Sequence, residues 1–215
     1  AGSSGVTPTG LDTAYDAIAS RIGATANLRY AAGYDPKADA PDAALIDEAQ
    51  RTVQAADVAL VFAGLPAVCE TEGVDRQHMA MPASHNALIE AVAGATPNVV
   101  VVLMNGAPVE MPWHQEVLAI LEAYLGGQAG GSAVAQLLYG EVNPSGKLAE
   151  TFPRQLSDTP SYTYYPGGPK TVEYRESLYV GYRFYDKVDK QVLFPFGHGL
   201  SYTTFAYEDI KLSDE

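Results

Sequence analysis

The amino-acid sequence predicts an α/β fold in which a mostly parallel sheet is covered by helices on both faces. Strand-like and helix-like patterns alternate through residues 11–140, and parallel strands need connections long enough to hold a helix. Residues 58–64 form a continuous apolar run, typical of a strand that is buried on both faces, and residues 98–104, apolar after Asn98, are the clearest central strand of the chain. After Asn143 the sequence becomes rich in Pro, Gly and Tyr, which predicts an irregular C-terminal segment.

Each element is predicted from a local signal. Apolar residues recur at helical spacing in four segments, with Asp12 and Thr13 as candidate caps of the first, and Asp42 opening the second. The predicted helices are residues 11–22, 41–56, 82–93 and 128–139. Largely apolar runs predict strands at residues 58–64, 98–104 and 117–124, and residues 27–32 are a further short strand candidate.

The irregular segment, residues 143–205, contains a cluster of the chain's 14 Tyr residues. A stretch of this length without regular structure is more often functional or packed over a neighbour. The alternative is an aromatic-rich flap that covers the sheet edge, and the two interpretations are compatible. Residues 205–212 then alternate like a strand, so we expect a following β domain, or a linker, to begin there.

Composition and charge narrow the classes of partner. The net charge is −13, the sequence pI is near 4.6 and no basic stripe is present, so no nucleic-acid partner is expected. No apolar run reaches the ~20 residues of a membrane helix, so no membrane partner is expected either. Cys69 is the one cysteine and cannot form an internal disulfide. The chain begins at Ala1 without a signal-like segment, which suggests a processed or excised piece.

The densest group of chemically useful side chains lies in residues 70–76, directly after the apolar run 58–64. Glu70, Glu72 and Asp75 are carboxylates, and the segment ends with an arginine. Open α/β sheets place their ligand crevice at the carboxyl ends of the strands, where this segment is predicted to lie. Closely spaced carboxylates can hold one acid protonated and another ionised, as glycoside hydrolysis requires. The alternative is a solvated surface loop that is simply charged.

Other motifs in the sequence give weaker evidence for a functional site. The glycine-rich segment 126–131 precedes a helix but lacks the GxGxxG and Walker spacings, so a tight turn is the better interpretation than a phosphate site. No GxSxG nucleophile motif is present. The four histidines, residues 78, 85, 114 and 198, show no metal-ligand spacing with Cys69 or with one another, so no metal site is expected.

Motifs of one family run nearly from end to end of the chain. They lie in residues 56–58, 70–76, 81–82, 88–89, 105–109, 112–113, 126–131, 140–153, 181–185 and 194–205. In these segments the chain resembles the C-terminal (α/β)6-sandwich domain of glycoside hydrolase family 3, the β-glucosidase type. The resemblance implies a three-layer sandwich with a mostly parallel six-stranded sheet. It also implies a family domain at residues 1–204, with residues 205–215 starting a truncated fibronectin-III-like domain or a linker.

The resemblance further implies one domain of a retaining β-glycosidase that acts on terminal β-linked glucose or xylose without a cofactor. The Asp nucleophile is then expected on a TIM-like barrel that this chain does not contain, so the chain alone should be inactive. By the family pattern, Glu72 is the general acid/base and Glu70 its competitor. Asp75 and Arg76 are expected to shape the loop and the aglycone side of the site, or else to form a mutual ion pair.

Two rival functions remain open from sequence. The chain could be a non-catalytic carbohydrate-binding or structural domain that packs beside a barrel, and a sugar affinity without turnover would favour that. A flavodoxin-like nucleotide-binding domain is the other rival, and the missing phosphate loop in residues 126–131 argues against it.

Overall fold

A parallel three-stranded sheet forms the centre of the molecule. The structure is a computed structural model and describes residues 7–213. The strands are β1 (Ala59–Gly64), β2 (Val99–Met104) and β3 (Ala119–Glu122), arranged in the order β1-β2-β3. The α-helices of the described chain are α1 (Ala14–Ile22), α2 (Ala43–Val53), α3 (Ala83–Ala95), α4 (Gly130–Leu138) and α5 (Tyr182–Val188).

The central strand is buried because its sequence is apolar on both faces. In β2, four of the six residues, Val99 and Val101 to Leu103, have no solvent exposure. The register pairs Ala59 with Val99 at one end of β1 and Gly64 with Met104 at the other. The carboxyl ends of β1 and β2 therefore finish side by side, which brings the loops that follow them to the same edge.

Helices cover both faces of the sheet. Val61 of β1 belongs to the larger core, in which α2 and α3 pack together on one face of the sheet. On the opposite face, Leu60 and Phe62 pack against a second cluster built from α1 and α4 around Ile18 and Ala135. The side chains of a strand alternate between faces, so β1 alone contacts both helical layers. The three-layer α/β class predicted from sequence is confirmed.

The predicted elements and the observed ones differ in places. Each of the four predicted helices and the strands of the two apolar runs are present, and the third strand is shorter than its predicted range 117–124. In residues 7–213 the sheet has three strands of the six that the family resemblance implies, and segment 27–32, a predicted strand, is not paired with it. A strand-like pattern reports the side-chain alternation of a segment and not whether a partner strand is available.

The C-terminal segment is irregular, as predicted, except for helix α5. Most of it is held by short contacts to the body of the domain. Phe152 pairs with Phe194 through a backbone bridge and an edge-on ring contact. Leu148 exchanges backbone hydrogen bonds with residues 197–198, and Asn143 accepts hydrogen bonds from the segment near Tyr202. These contacts fit the expectation that this stretch packs over its neighbours.

No helix within residues 7–213 is long and apolar enough to cross a membrane. The predicted boundary between two domains at residue 204 stays a prediction. The outer ends of the two predicted domains, residues 1–6 and 214–215, lie outside the described residues.

Candidate functional site

The charged loop lies where the sequence placed it, at the carboxyl edge of the sheet. It follows β1, and the backbone is still tied to β2 at its start, because Leu65 N donates to Met104 O at 3.1 Å. The loop then runs to Pro82, which precedes α3. The start of the loop, with Glu70, therefore stands beside the turn that follows β2.

Glu70 is held by the turn that follows β2. Its Oε1 atom accepts a hydrogen bond of 2.6 Å from the backbone N–H of Gly106, which is 36 residues away in the sequence. Glycine suits this position, because a Cβ there would lie 3.2 Å from Glu70 Oε1 and 3.0 Å from Leu125 Cδ1. A charge-assisted hydrogen bond to a backbone amide is among the stronger polar contacts, so it anchors this part of the loop.

Arg76, at the other end of the charged segment, is anchored to the same turn. Its Nη1 atom donates to Pro108 O at 3.3 Å, and its Nη2 atom is buried without a hydrogen-bond partner among the described residues. Burial lowers the pKa of the guanidinium, whereas the carboxylates of Glu70 and Glu110 oppose that change. The positive charge of Arg76 thus lies next to the carboxylate of Glu70.

Asp75 contacts the Tyr-rich C-terminal segment instead of Arg76. Its Oδ2 atom accepts a short hydrogen bond from the hydroxyl of Tyr165. Ion pairs do form elsewhere in residues 7–213, but none joins Asp75 to Arg76, so the alternative of a mutual ion pair was wrong. The two side chains point to different partners, and together they fasten the loop to the turn after β2 and to the C-terminal segment.

Glu72 lies between these anchors and is exposed. It immediately precedes Gly73, which adopts a left-handed backbone conformation with φ of +82°. That conformation favours glycine over any residue with a Cβ, so the turn that presents Glu72 is encoded locally. The sequence placed Glu70 and Glu72 together as competitors, and the structure gives them different surroundings.

Two functional candidates were missed from sequence. Asn105 directly follows β2 and is fully buried, and Glu122 is the last residue of β3. Asn105 Nδ2 donates to Glu122 Oε2 at 3.2 Å, and Tyr124 N donates to Glu122 Oε1 at 2.9 Å. The available signal was a single acid inside the apolar stretch 117–124, at the carboxyl end of a predicted strand.

Glu122 has an unusual protonation equilibrium. Burial raises its pKa to about 7, against the opposing effect of the hydrogen bonds from Tyr124 and Asn105. The carboxylates of Glu150 and Glu70 add to the rise, and burial also raises the pKa of Glu150. Acids with raised pKa values at a loop-lined sheet edge are typical of functional sites, although structural networks can produce them too.

The histidines do not form a site. His85 lies in α3, with Nδ1 at 2.9 Å from Gly64 O and its ring against Tyr34, so it supports the end of β1. Burial lowers the pKa of His85, which favours the neutral ring. His198 stacks on Phe194 in the C-terminal segment. Across the described part of the chain, no three His, Cys, Asp or Glu side chains are grouped to hold a metal ion.

The fold and the carboxylates at the carboxyl edge of the sheet define the class of protein. It is a three-layer α/β domain with an acidic loop at the carboxyl edge of its sheet. The loop is fixed at residues 70 and 76 by backbone contacts to one turn, while the glutamate between them is exposed.

Comparison with known proteins gives the family. The model of the glycosyl hydrolase family 3 C-terminal domain matches residues 1–202, and the chain belongs to this family. Thermostable beta-glucosidase B of Acetivibrio thermocellus is 57% identical over 211 residues, covering 98% of this chain and 28% of that protein. An exo-alpha-(1->6)-L-arabinopyranosidase of Bifidobacterium breve is 46% identical over 213 residues, covering 99% of this chain and 28% of that protein.

A solved structure agrees with the fold as well as the sequence. The crystal structure of the Bifidobacterium adolescentis GH3 beta-glucosidase superposes with a TM-score of 0.90 at 45% identity, over 95% of this chain and 30% of that one. The chain therefore spans less than a third of these relatives. The resemblance seen in the sequence motifs is confirmed, and the chain corresponds to one domain of larger enzymes.

Proposed function

We propose that this chain is the domain of a retaining β-glycosidase that supplies the general acid/base, and that Glu72 is that residue. In this reaction one carboxyl group protonates the departing oxygen while a second carboxylate attacks the sugar and forms a covalent intermediate. The first group then removes a proton from the water that releases the sugar. The nucleophile in this proposal is an Asp on a barrel outside these 215 residues.

The anchoring of Glu70 and the exposure of Glu72 support this assignment. Glu70 is anchored, since its Oε1 atom accepts a hydrogen bond of 2.6 Å from the backbone N–H of Gly106. An oxygen committed to a backbone amide is poorly placed to deliver a proton to a leaving group. Glu72 is exposed on the turn between the two anchors, where an opposing domain could bring a glycosidic oxygen within reach. Glu70 is thus given a holding role and Glu72 the chemical one.

Asp75 and Arg76 are proposed to shape the aglycone side of the site. Asp75 links the loop to Tyr165, and exposed aromatic rings of residues 162–165 stand nearby as platforms for a sugar face. For substrate we propose a terminal β-linked glucoside or xyloside. Names among the relatives include both a beta-glucosidase and an arabinopyranosidase, which fits a specificity decided mainly by residues outside this domain.

The test is the Glu72→Gln variant of the complete enzyme that contains this chain, assayed on two β-glucosides. With an alkyl leaving group, which needs protonation, kcat/KM is expected to fall ~10²-fold to ~10⁴-fold. With dinitrophenolate, which leaves without a proton, the first step should change little. The matched control is Glu116→Gln, another exposed glutamate. Equal losses on both substrates would contradict Glu72 as the acid.

A further inference from the structure

One turn controls both ends of the charged loop. The residues after β2 hold Glu70 through the amide of Gly106 and hold Arg76 through the carbonyl of Pro108. The segment between those two anchors contains Glu72. A displacement of the turn, residues 105–108, therefore displaces Glu72 with respect to anything that faces it.

The turn is itself fixed from β3. Asn105 is fully buried, and its Nδ2 atom donates both to Ala107 O at 2.9 Å, within the turn, and to Glu122 Oε2 at 3.2 Å. Glu122 accepts a second hydrogen bond on Oε1 from Tyr124 N, so each of its oxygens receives an N–H donor. An ionised carboxylate suits this arrangement, because it offers only acceptors.

We propose that Glu122 is a positioning residue for the general acid: by fixing Asn105 it sets the place of the Gly106 amide, and hence of the loop that presents Glu72. The connection runs from β3 to the turn after β2 and from there to the loop after β1, so it crosses all three strands of the sheet. This inference rests on the proposed role of Glu72, although Glu122 itself is not expected to touch the substrate.

The charges around Glu122 make this contact sensitive to pH. Glu70 from the loop after β1 and Glu150 from the C-terminal segment both face it electrostatically, and Tyr124 lies two residues after it, beyond the end of β3. Burial is the largest cause that brings the pKa of Glu122 to about 7. Protonation of Glu122 removes the negative charge that the N–H groups of Asn105 and Tyr124 face. The hydrogen bond from Asn105 to Glu122 should therefore weaken as the pH falls through neutrality.

The first test is an amide NMR comparison of the 215-residue chain with its Glu122→Gln variant. An amide side chain cannot accept from Asn105 Nδ2 and Tyr124 N in the same way, since one of its two ends is a donor. We expect the amide signals of Gly106 and of residues 70–76 to shift, and we expect the near-neutral titration of the Gly106 signal to disappear. Glu116→Gln is the matched control and should leave these signals in place.

The second test measures kinetics in the complete enzyme. Misplacement of a catalytic group by about 1 Å can cost ~10²-fold, so Glu122→Gln should lower kcat ~10-fold to ~100-fold on a poor leaving group, with little change in KM. The inflection near pH 7 in the pH profile of kcat should also be lost. Gly106→Ala displaces the same contact from the other side, since its Cβ would lie 3.2 Å from Glu70 Oε1, and should lower kcat likewise.

The outcomes separate this inference from the proposed function. Unmoved Gly106 and loop signals together with an unchanged pH profile in Glu122→Gln would overturn the positioning role, whatever Glu72→Gln does. Moved signals, a lower kcat and a lost inflection would support it. Glu72→Gln could lower kcat/KM equally for both leaving groups while Glu122→Gln still moves the loop signals. In that case Glu72 is not the acid, and Glu122 positions a loop that carries another catalytic residue.

Discussion

Gly64 is the residue at which a single added methyl group should be most disruptive. It ends β1 opposite Met104 of β2, immediately before the charged loop. A Cβ at Gly64 would lie 2.0 Å from Met104 O and 2.6 Å from Met104 C. These are backbone atoms of a buried strand, so they cannot turn aside as a side chain could. Gly64→Ala must therefore separate the two strands at their carboxyl ends.

The expected cost follows from those contacts. A C···O approach normally needs about 3.3 Å, so the strands must part by about 1 Å, which typically costs ~1–3 kcal/mol for overpacking. The hydrogen bond from Leu65 N to the same Met104 oxygen would weaken, adding ~1 kcal/mol. Ala also lowers the conformational entropy of the unfolded chain, which offsets ~0.5 kcal/mol of this loss. The net loss of stability should be about 1.5–3.5 kcal/mol.

Urea denaturation followed by the fluorescence of Trp113 measures this loss, since the chain's one Trp is fully buried. Gly94→Ala is the matched control: Gly94 lies in α3 with nothing within 4 Å of its Cβ position. In a helix, Gly→Ala should stabilise by ~0.5–1 kcal/mol. If Gly64→Ala unfolds within about 0.5 kcal/mol of the unsubstituted chain, the reasoning from close strand approach is refuted.

Three further changes have defined outcomes. The pKa of Glu122 is raised from 4.5 to about 7 in the folded chain, so the free energy of unfolding should fall as the pH rises between those values, by up to about 3 kcal/mol. Urea titrations at several pH values should show a smaller decline in the Glu122→Gln variant. Trp113→Phe removes the 2.9 Å hydrogen bond to Asn86 and leaves a gap, and should cost ~2 kcal/mol by thermal circular dichroism. Tyr165→Phe should leave the midpoint of urea unfolding nearly unchanged, whereas amide exchange near Asp75 should become faster.

Much of the fold could be read from the sequence because its strongest signals are local. The run 99–104 is apolar without interruption, which is typical of a strand buried on both faces. The side chain of Asp42 accepts from two amides at the start of α2, as its position after Pro41 indicated. Thr13 likewise caps α1 by accepting from Asp16 N.

A strand that was predicted but not observed, and a helix that was not predicted, both depend on contacts with residues distant in the sequence. Segment 27–32 has a strand-like composition but is not paired in the sheet as described. Helix α5, Tyr182–Val188, is short, and only Tyr185 within it is buried, so it has little amphipathic pattern to detect. Tertiary packing decided both cases, and a window of neighbouring residues carries no record of that packing.

The place of the charged loop was predicted from the sequence, but the contacts of its side chains were not. The position of residues 70–76 after a buried strand was enough to locate the loop at the sheet edge. What separates Glu70 from Glu72 is a contact with Gly106, which only the folded chain brings together. The same holds for Glu122, whose importance comes from its contact with Asn105 across neighbouring strands.

The most direct measurement of the central claim is an azide trapping experiment with Glu72→Ala in the complete enzyme. With a dinitrophenyl β-glucoside, the covalent glycosyl intermediate should form and then accumulate, because no base activates water. Azide needs no proton removal, so it should attack the anomeric carbon, displace the carboxylate and raise turnover, giving the β-glycosyl azide. The account predicts this product and rescue for Glu72→Ala and not for Glu70→Ala. Rescue in Glu70→Ala alone would contradict it and assign the acid/base role to Glu70.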